Sequence, residues 1–204
     1  MSVSKSPSRF SRALPVAIAF LCGLVLVFGG IVYFAGRPGS PIGSAVAAVG
    51  GPFQLEDQNG QPFSDQDMKG RPFLVFFGYT HCPDICPTTL FDVSEVMKAL
   101  GKDADRTGAL FITVDPERDT PAILKDYLSN FDPHLRGLTG DPAAVQAAIK
   151  AYRVYAKKIP LKDGDYTMDH TAVVYLMDKD GRFVAPFNMK RTPEAEAAEL
   201  RRYL

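Results

Sequence analysis

Phe73-Leu74-Val75-Phe76-Phe77 is an unbroken apolar run that ends at Gly78. No polar residue alternates with it, so a strand built from this stretch has no face to give to water and belongs inside a sheet covered on both sides. Downstream, Leu90, Val93, Met97 and Leu100 recur at helical spacing, which supplies one covering helix. Between strand and helix stands Gly78-Tyr79-Thr80-His81-Cys82-Pro83-Asp84-Ile85-Cys86-Pro87-Thr88-Thr89. Pro87 suits the first helical position, where its missing N–H costs nothing, and Cys86 is then the expected N-cap. Two thiols four positions apart would thus sit in the positive end of a helix dipole, a field that favours thiolate over thiol.

The rest of the exported part alternates strands and helices. Phe53 to Asp57 and Gln61 to Phe63 flank Gln58-Asn59-Gly60, a hairpin signal. Leu110 to Val114 gives a second buried strand. Thr120-Pro121, Asp141-Pro142 and Thr192-Pro193 each put a capping side chain before a proline and so predict three helix starts. Ala172 to Met177 reads as a continuous strand, Asp178 to Gly181 as a turn, and Phe183 to Phe187 as a return strand. Strand–helix–strand, then a hairpin and a terminal helix, is the order of an α/β fold with a thioredoxin-like mixed sheet flanked by helices.

The first 50 residues hold no Asp or Glu, and Leu14 to Phe34 is almost wholly apolar. At about 21 residues the run is long enough to span a bilayer as a transmembrane helix. Lys5, Arg9 and Arg12 precede it and Arg37 follows, so positive charge holds the N-terminus in the cytoplasm and exports the remainder. The competing reading, a cleaved signal peptide, has a shorter apolar core of about 7–15 residues. Cys22 follows the bulky Leu21 and reads as an inert thiol within the span. The resulting organisation is a cytoplasmic N-terminus (1–13), an anchor (14–36), a Gly-, Pro- and Ser-rich linker (37–51) and one domain (52–204). Setting aside those four basic residues leaves 19 against 23 acidic ones, and nothing basic or repetitive points to nucleic acid.

Cys82 and Cys86 admit a staple, a redox pair or a metal site. A disulfide across so short a loop removes little chain entropy, which disfavours the staple. Redox motifs usually have two residues between the cysteines, whereas Pro83-Asp84-Ile85 makes three and opens room for an ion. Of the histidines, His81 reads as a loop residue and His134, after Asp132-Pro133, as a surface residue. His170 stands at the mouth of the strand running to Met177, which in a thioredoxin-like sheet faces the cysteine loop. Two thiolates and an imidazole form a soft set suited to Cu(I) or zinc, and three protein ligands lean towards copper, since structural zinc prefers a fourth.

Gly78 to Thr88, Val114-Asp115-Pro116-Glu117-Arg118-Asp119-Thr120-Pro121, and Asp169-His170 before an apolar strand together resemble the Sco/SenC family, over roughly Phe53 to Leu204. The resemblance implies a membrane-tethered protein of the bacterial inner membrane, its domain in the periplasm, that binds one copper, Cu(I) or Cu(II), through Cys82, Cys86 and His170. It further implies copper delivery to the binuclear copper centre of cytochrome c oxidase subunit II, or reduction of that centre's cysteines, with another periplasmic copper donor or thiol reductant upstream. A thiol–disulfide oxidoreductase and a redox or copper sensor are the alternatives. Asp115, Glu117 and Asp119 read as capping and solvated residues, with a role in supporting the site or docking a partner as the alternative, and Met168 and Met189 as packing residues, with a thioether ligand as the lesser alternative. Lys157 to Thr167 reads as a hairpin.

Overall fold

The structure is a computed structural model that describes residues 21–30, 33, 49–162 and 164–204. The chain divides into an N-terminal unit ending at Val46 and a C-terminal unit from Ala47 to Leu204. In the first, residues 21–30 and 33 are helical. Among the described residues no helix is long and apolar enough to cross a membrane. About half of the anchor expected over 14–36 lies outside the described residues, as does most of the 37–51 linker.

The C-terminal unit runs β1 (Gln54–Asp57), β2 (Pro62–Ser64), β3 (Phe73–Gly78), α1 (Ile85–Leu100), β4 (Gly108–Thr113), α2 (Pro121–Leu128), β5 (Leu135–Thr139) and α3 (Pro142–Ala151). It continues through β6 (Ala156–Pro160), β7 (Tyr166–His170), β8 (Val174–Met177), β9 (Phe183–Pro186) and α4 (Pro193–Leu200). Seven strands form one sheet in the order β2-β1-β5-β4-β3-β8-β9, while β6 and β7 pair as a separate two-stranded sheet. β3 runs parallel to β4 and antiparallel to β8, so the sheet is mixed. α1 packs against α4, α2 against β5 and α3 against β1.

Every residue of β3 and β4 is buried, as the unbroken apolar run demands. Phe76 and Phe111 stack at 6.1 Å between ring centroids, and Tyr152 is ringed by Phe53, Phe77 and Tyr175. Each such side chain contributes roughly 1.5–3 kcal/mol on burial, which makes this sheet centre the rigid base of whatever stands at its end. The three proline-led helices begin where the sequence places them. Thr120, Asp141 and Thr192 each accept a hydrogen bond from the first turn, at Ile123, Ala143 and Ala195 respectively.

Three expectations change. The cap of α1 is Asp84, not Cys86, so Cys86 lies inside the first turn and Pro87 at its third residue. All of the first N–H groups of a helix lack intrahelical partners, so proline is as free there as at the first position. The strand expected from Ala172 begins at Val174, and His170 closes β7 instead. The reason is local: the Thr171 N–H donates to Tyr155 O at 3.0 Å and Thr171 Oγ1 accepts from Tyr155 N at 3.0 Å, which ties this stretch back to the β6–β7 pair. Finally, β5 is a strand the sequence reading passes over; it lies between β4 and β1 in the sheet.

Candidate metal centre

β3 delivers the chain to Gly78 at the end of the sheet, where the carbonyl accepts from Val114 N at 2.8 Å. The next residue, Tyr79, is buried, and its carbonyl accepts the Cys82 N–H at 3.3 Å to turn the chain. α1 begins three residues later, and the Cys86 N–H donates to Cys82 Sγ at 3.4 Å. Cys86 is fully buried, whereas Cys82 keeps 9% of its surface exposed. Both thiols are free.

From β7, His170 reaches across 84 residues of sequence to set Nε2 3.6 Å from Cys86 Sγ. Its Nδ1 lies 3.1 Å from Thr171 O. A carbonyl can only accept, so Nδ1 carries the proton and Nε2 presents a lone pair to the sulfurs. Tyr79 meets the imidazole edge-to-face at 5.7 Å and Phe76 at 6.4 Å, so the ring is held by two aromatic walls. One donor atom from each of Cys82, Cys86 and His170 lies within 4.8 Å of the others. Two metal–thiolate bonds span up to about 4.6 Å, so a soft ion could be gathered here with small side-chain shifts.

Burial pushes the Cys86 thiol up, and the neighbouring Cys82 sulfur pushes it further. This overturns the helix-dipole expectation for Cys86 in the metal-free protein. A dipole favours an anion by about 0.3–1 kcal/mol at an exposed first turn, which is small beside the cost of burying an unpaired charge. A cation held at this sulfur would compensate the buried charge, so binding of a metal here would favour loss of the thiol proton.

The stretch after β4 also differs from its reading as capping and solvated residues. Asp119 is fully buried and Asp115 nearly so; Glu117 alone is exposed. Asp119 accepts from Thr80 N at 3.1 Å, Thr80 Oγ1 at 2.6 Å and Thr113 Oγ1 at 2.6 Å, pinning the cysteine loop to the end of β4. Desolvation raises its carboxyl above the ordinary range against these opposing hydrogen bonds.

His81 is an exposed loop residue whose Nδ1 meets Thr80 Oγ1 at 3.1 Å. His134 sits far from the cysteines in sequence and bridges Asp132 at 2.6 Å and Asp105 at 3.1 Å. Met168 and Met189 are half-buried and pack against the core. Among the described residues, Cys82, Cys86 and His170 are the one group of three such donors close enough to hold an ion.

Residues 43–204 match the SCO1/SenC family. The chain belongs to that family. Copper-bound ScoI of Bradyrhizobium japonicum shares this fold with a TM-score of 0.76 and 69% identity, covering 77% of this chain and 100% of its own. The SCO2-like protein of Rickettsia felis is 38% identical over 148 residues, 72% of each protein. More distantly, BsSco, a member of the Sco family of cytochrome c oxidase assembly proteins in which a disulfide switch was identified, has the same fold (TM-score 0.59, 24% identity, 76% of this chain and 93% of its own). The Sco/SenC chain described here offers two sulfurs and an imidazole, a donor set that fits copper.

Proposed function

We propose that this chain is a membrane-anchored copper chaperone that binds one copper through Cys82, Cys86 and His170 and assists assembly of the binuclear copper centre of cytochrome c oxidase subunit II. The observation that carries the reading is the convergence of those three donors at the end of a rigid sheet. Copper-bound ScoI and the assembly role of the Sco family support it. The apolar, acid-free run of residues 14–36 supports a single-pass anchor in the bacterial inner membrane, with the domain in the periplasm. Copper is here the cargo. His170 contributes a neutral lone pair, Cys86 a sulfur shielded from water, and Cys82 the sulfur nearest solvent, where a recipient thiolate would first compete.

A second reading, reduction of a target disulfide, draws on the Cys86 N–H aimed at Cys82 Sγ. Cys82 is also the more exposed of the two sulfurs and so the one a target can reach. Attack there would give a mixed disulfide, and Cys86 would resolve it, leaving Cys82–Cys86 oxidised and the target with two thiols.

The test is anaerobic Cu(I) titration of the reduced full-length chain. One equivalent should bind, and Cys82→Ser, Cys86→Ser or prior oxidation to the disulfide should abolish uptake, because a disulfide sulfur is no thiolate. Equal affinity in oxidised and reduced protein would defeat the proposal. In cells, loss of the chain should remove the oxidase's copper-centre absorption, with partial recovery on added copper; recovery by a thiol reductant alone would favour the second reading.

A further inference from the structure

The two sulfurs and the imidazole are held by different means. Cys82, in the loop after β3, and Cys86, in the first turn of α1, belong to the main core, whereas His170 ends a hairpin that forms its own two-stranded sheet. Met168 and Ala156 pack the hairpin against the core, and its polar joint to the body of the domain is a cluster centred on Tyr166, four residues before His170. The Tyr166 hydroxyl donates to Asp115 Oδ1 at 2.9 Å, and the Arg118 guanidinium lies over the Tyr166 ring at 3.8 Å. Arg118 Nε donates to Asp115 Oδ2 at 2.5 Å, and its Nη1 to Tyr166 O at 3.1 Å. Its remaining nitrogen, Nη2, is buried with no hydrogen-bond partner, so the face of the aromatic ring is what compensates that part of the charge. Lys158 on β6 lies 4.1 Å from the same ring and pairs with Glu117 at 2.8 Å. Asp115 is in turn fixed to the end of β4, its N–H donating to Thr113 Oγ1 at 2.9 Å. A smaller tie runs from Tyr79 OH to Thr167 Oγ1 at 2.8 Å.

We propose that Arg118 and Tyr166 are positioning residues for His170: their stack, closed by Asp115, sets where the imidazole stands relative to the sulfurs. The inference rests on the reading of His170 as a copper ligand, and it concerns the hairpin as much as the ion. Tyr166 and His170 lie on the same face of β7, because residues an even number apart point the same way along a strand. Freeing Tyr166 therefore frees the edge that carries the ring.

The experiment uses the full-length chain in detergent micelles with isotope-labelled histidine. In the metal-free protein, the imidazole protons of His170 should carry ring-current shifts from Tyr79 and Phe76. Tyr166→Leu should move them towards the resonance of exposed His81 while His134 stays put. Tyr166→Phe, which keeps the stack, should preserve most of the shift. Arg118→Lys keeps the charge but loses the planar fork, and should fall between. An unmoved His170 signal in Tyr166→Leu overturns the proposal whatever happens with copper. In Cu(I) competition titrations, Tyr166→Leu should weaken binding about 10-fold, in the range found for outer-shell residues of metal sites. The same substitution added to His170→Ala should cost nothing further; an equal, additive loss would show that the cluster acts elsewhere. If His170→Ala itself binds copper like the parent protein, the chaperone reading loses its histidine, and the resonance measurement still decides the clasp.

Discussion

Gly78→Ala tests whether the sheet end and the sulfur site are packed as one body. Gly78 is not among the glycines with positive φ, so alanine fits its backbone. On that ground alone the change should stabilise by about 0.4–1 kcal/mol, through the lower entropy of the unfolded chain. The added methyl, however, would lie 2.7 Å from a ring carbon of Phe111, 2.9 Å from Cys86 Sγ and 3.2 Å from a ring carbon of Phe76. Phe111 is fully buried, hemmed by Phe76 at 6.1 Å and Tyr127 at 6.0 Å, so it has nowhere to swing. Overpacking of this kind costs about 1–3 kcal/mol. The net expectation is a loss of about 1–2 kcal/mol, a fall of roughly 2–8 °C in Tm for a domain of this size. Thermal unfolding of the metal-free chain followed by circular dichroism measures it, and Cu(I) competition should show weaker binding as the Cys86 sulfur is displaced. Gly108→Ala is the control: its methyl would meet mainly the flexible tip of Met68 and should cost less. An unchanged or raised Tm for Gly78→Ala would show that ring and sulfur step aside freely, and the argument for a rigid site base would fail.

Two further outcomes follow from buried and half-buried charges. Asp119→Ala leaves three donors, Thr80 N, Thr80 Oγ1 and Thr113 Oγ1, without their acceptor. At about 1–3 kcal/mol for an unsatisfied buried group, partly offset by relief of a buried charge, urea unfolding should show a net loss of about 2–4 kcal/mol. A loss below about 1 kcal/mol would mean that the loop does not depend on this brace. For His134, the hydrogen bond to Asp132 raises the imidazole above its ordinary 6.5, with Asp105 adding to it. The folded state thus prefers the charged ring, and the stability this contributes is complete below 6.5 and is lost as pH rises through the raised folded value. Unfolding curves between pH 6.5 and 8 should accordingly slope downward more steeply for the parent chain than for His134→Gln. Parallel curves would remove His134 from the pH response.

The parts of the fold that were legible in the sequence are those whose signal is local. Phe73 to Phe77 has no polar alternation, so its place inside the sheet follows from the residues themselves. Thr120, Asp141 and Thr192 cap helices within three residues of where they stand. Pro87 misled by two positions because an absent N–H is equally costless throughout a first turn. Asp119 was misread because its partner Thr80 is 39 residues away, and charge in a short window says nothing of burial. β5 was passed over because Arg136 and Gly137 dilute its apolar pattern; Arg136 reaches out to Asp57 at 3.2 Å and over the Phe63 ring. The three donors could be picked from residue chemistry, yet the partition of β7 from β8 could not, since it depends on Thr171 bonding back to Tyr155.

The outermost strands of the seven-stranded sheet are short, three residues in β2 and four in β9. Each contains a proline, Pro62 at the start of β2 and Pro186 at the end of β9. A rim so brief, with an N–H missing from it, is a poor template for a neighbour's strand. Copies at high concentration would therefore resist polymerising through the edges of this sheet.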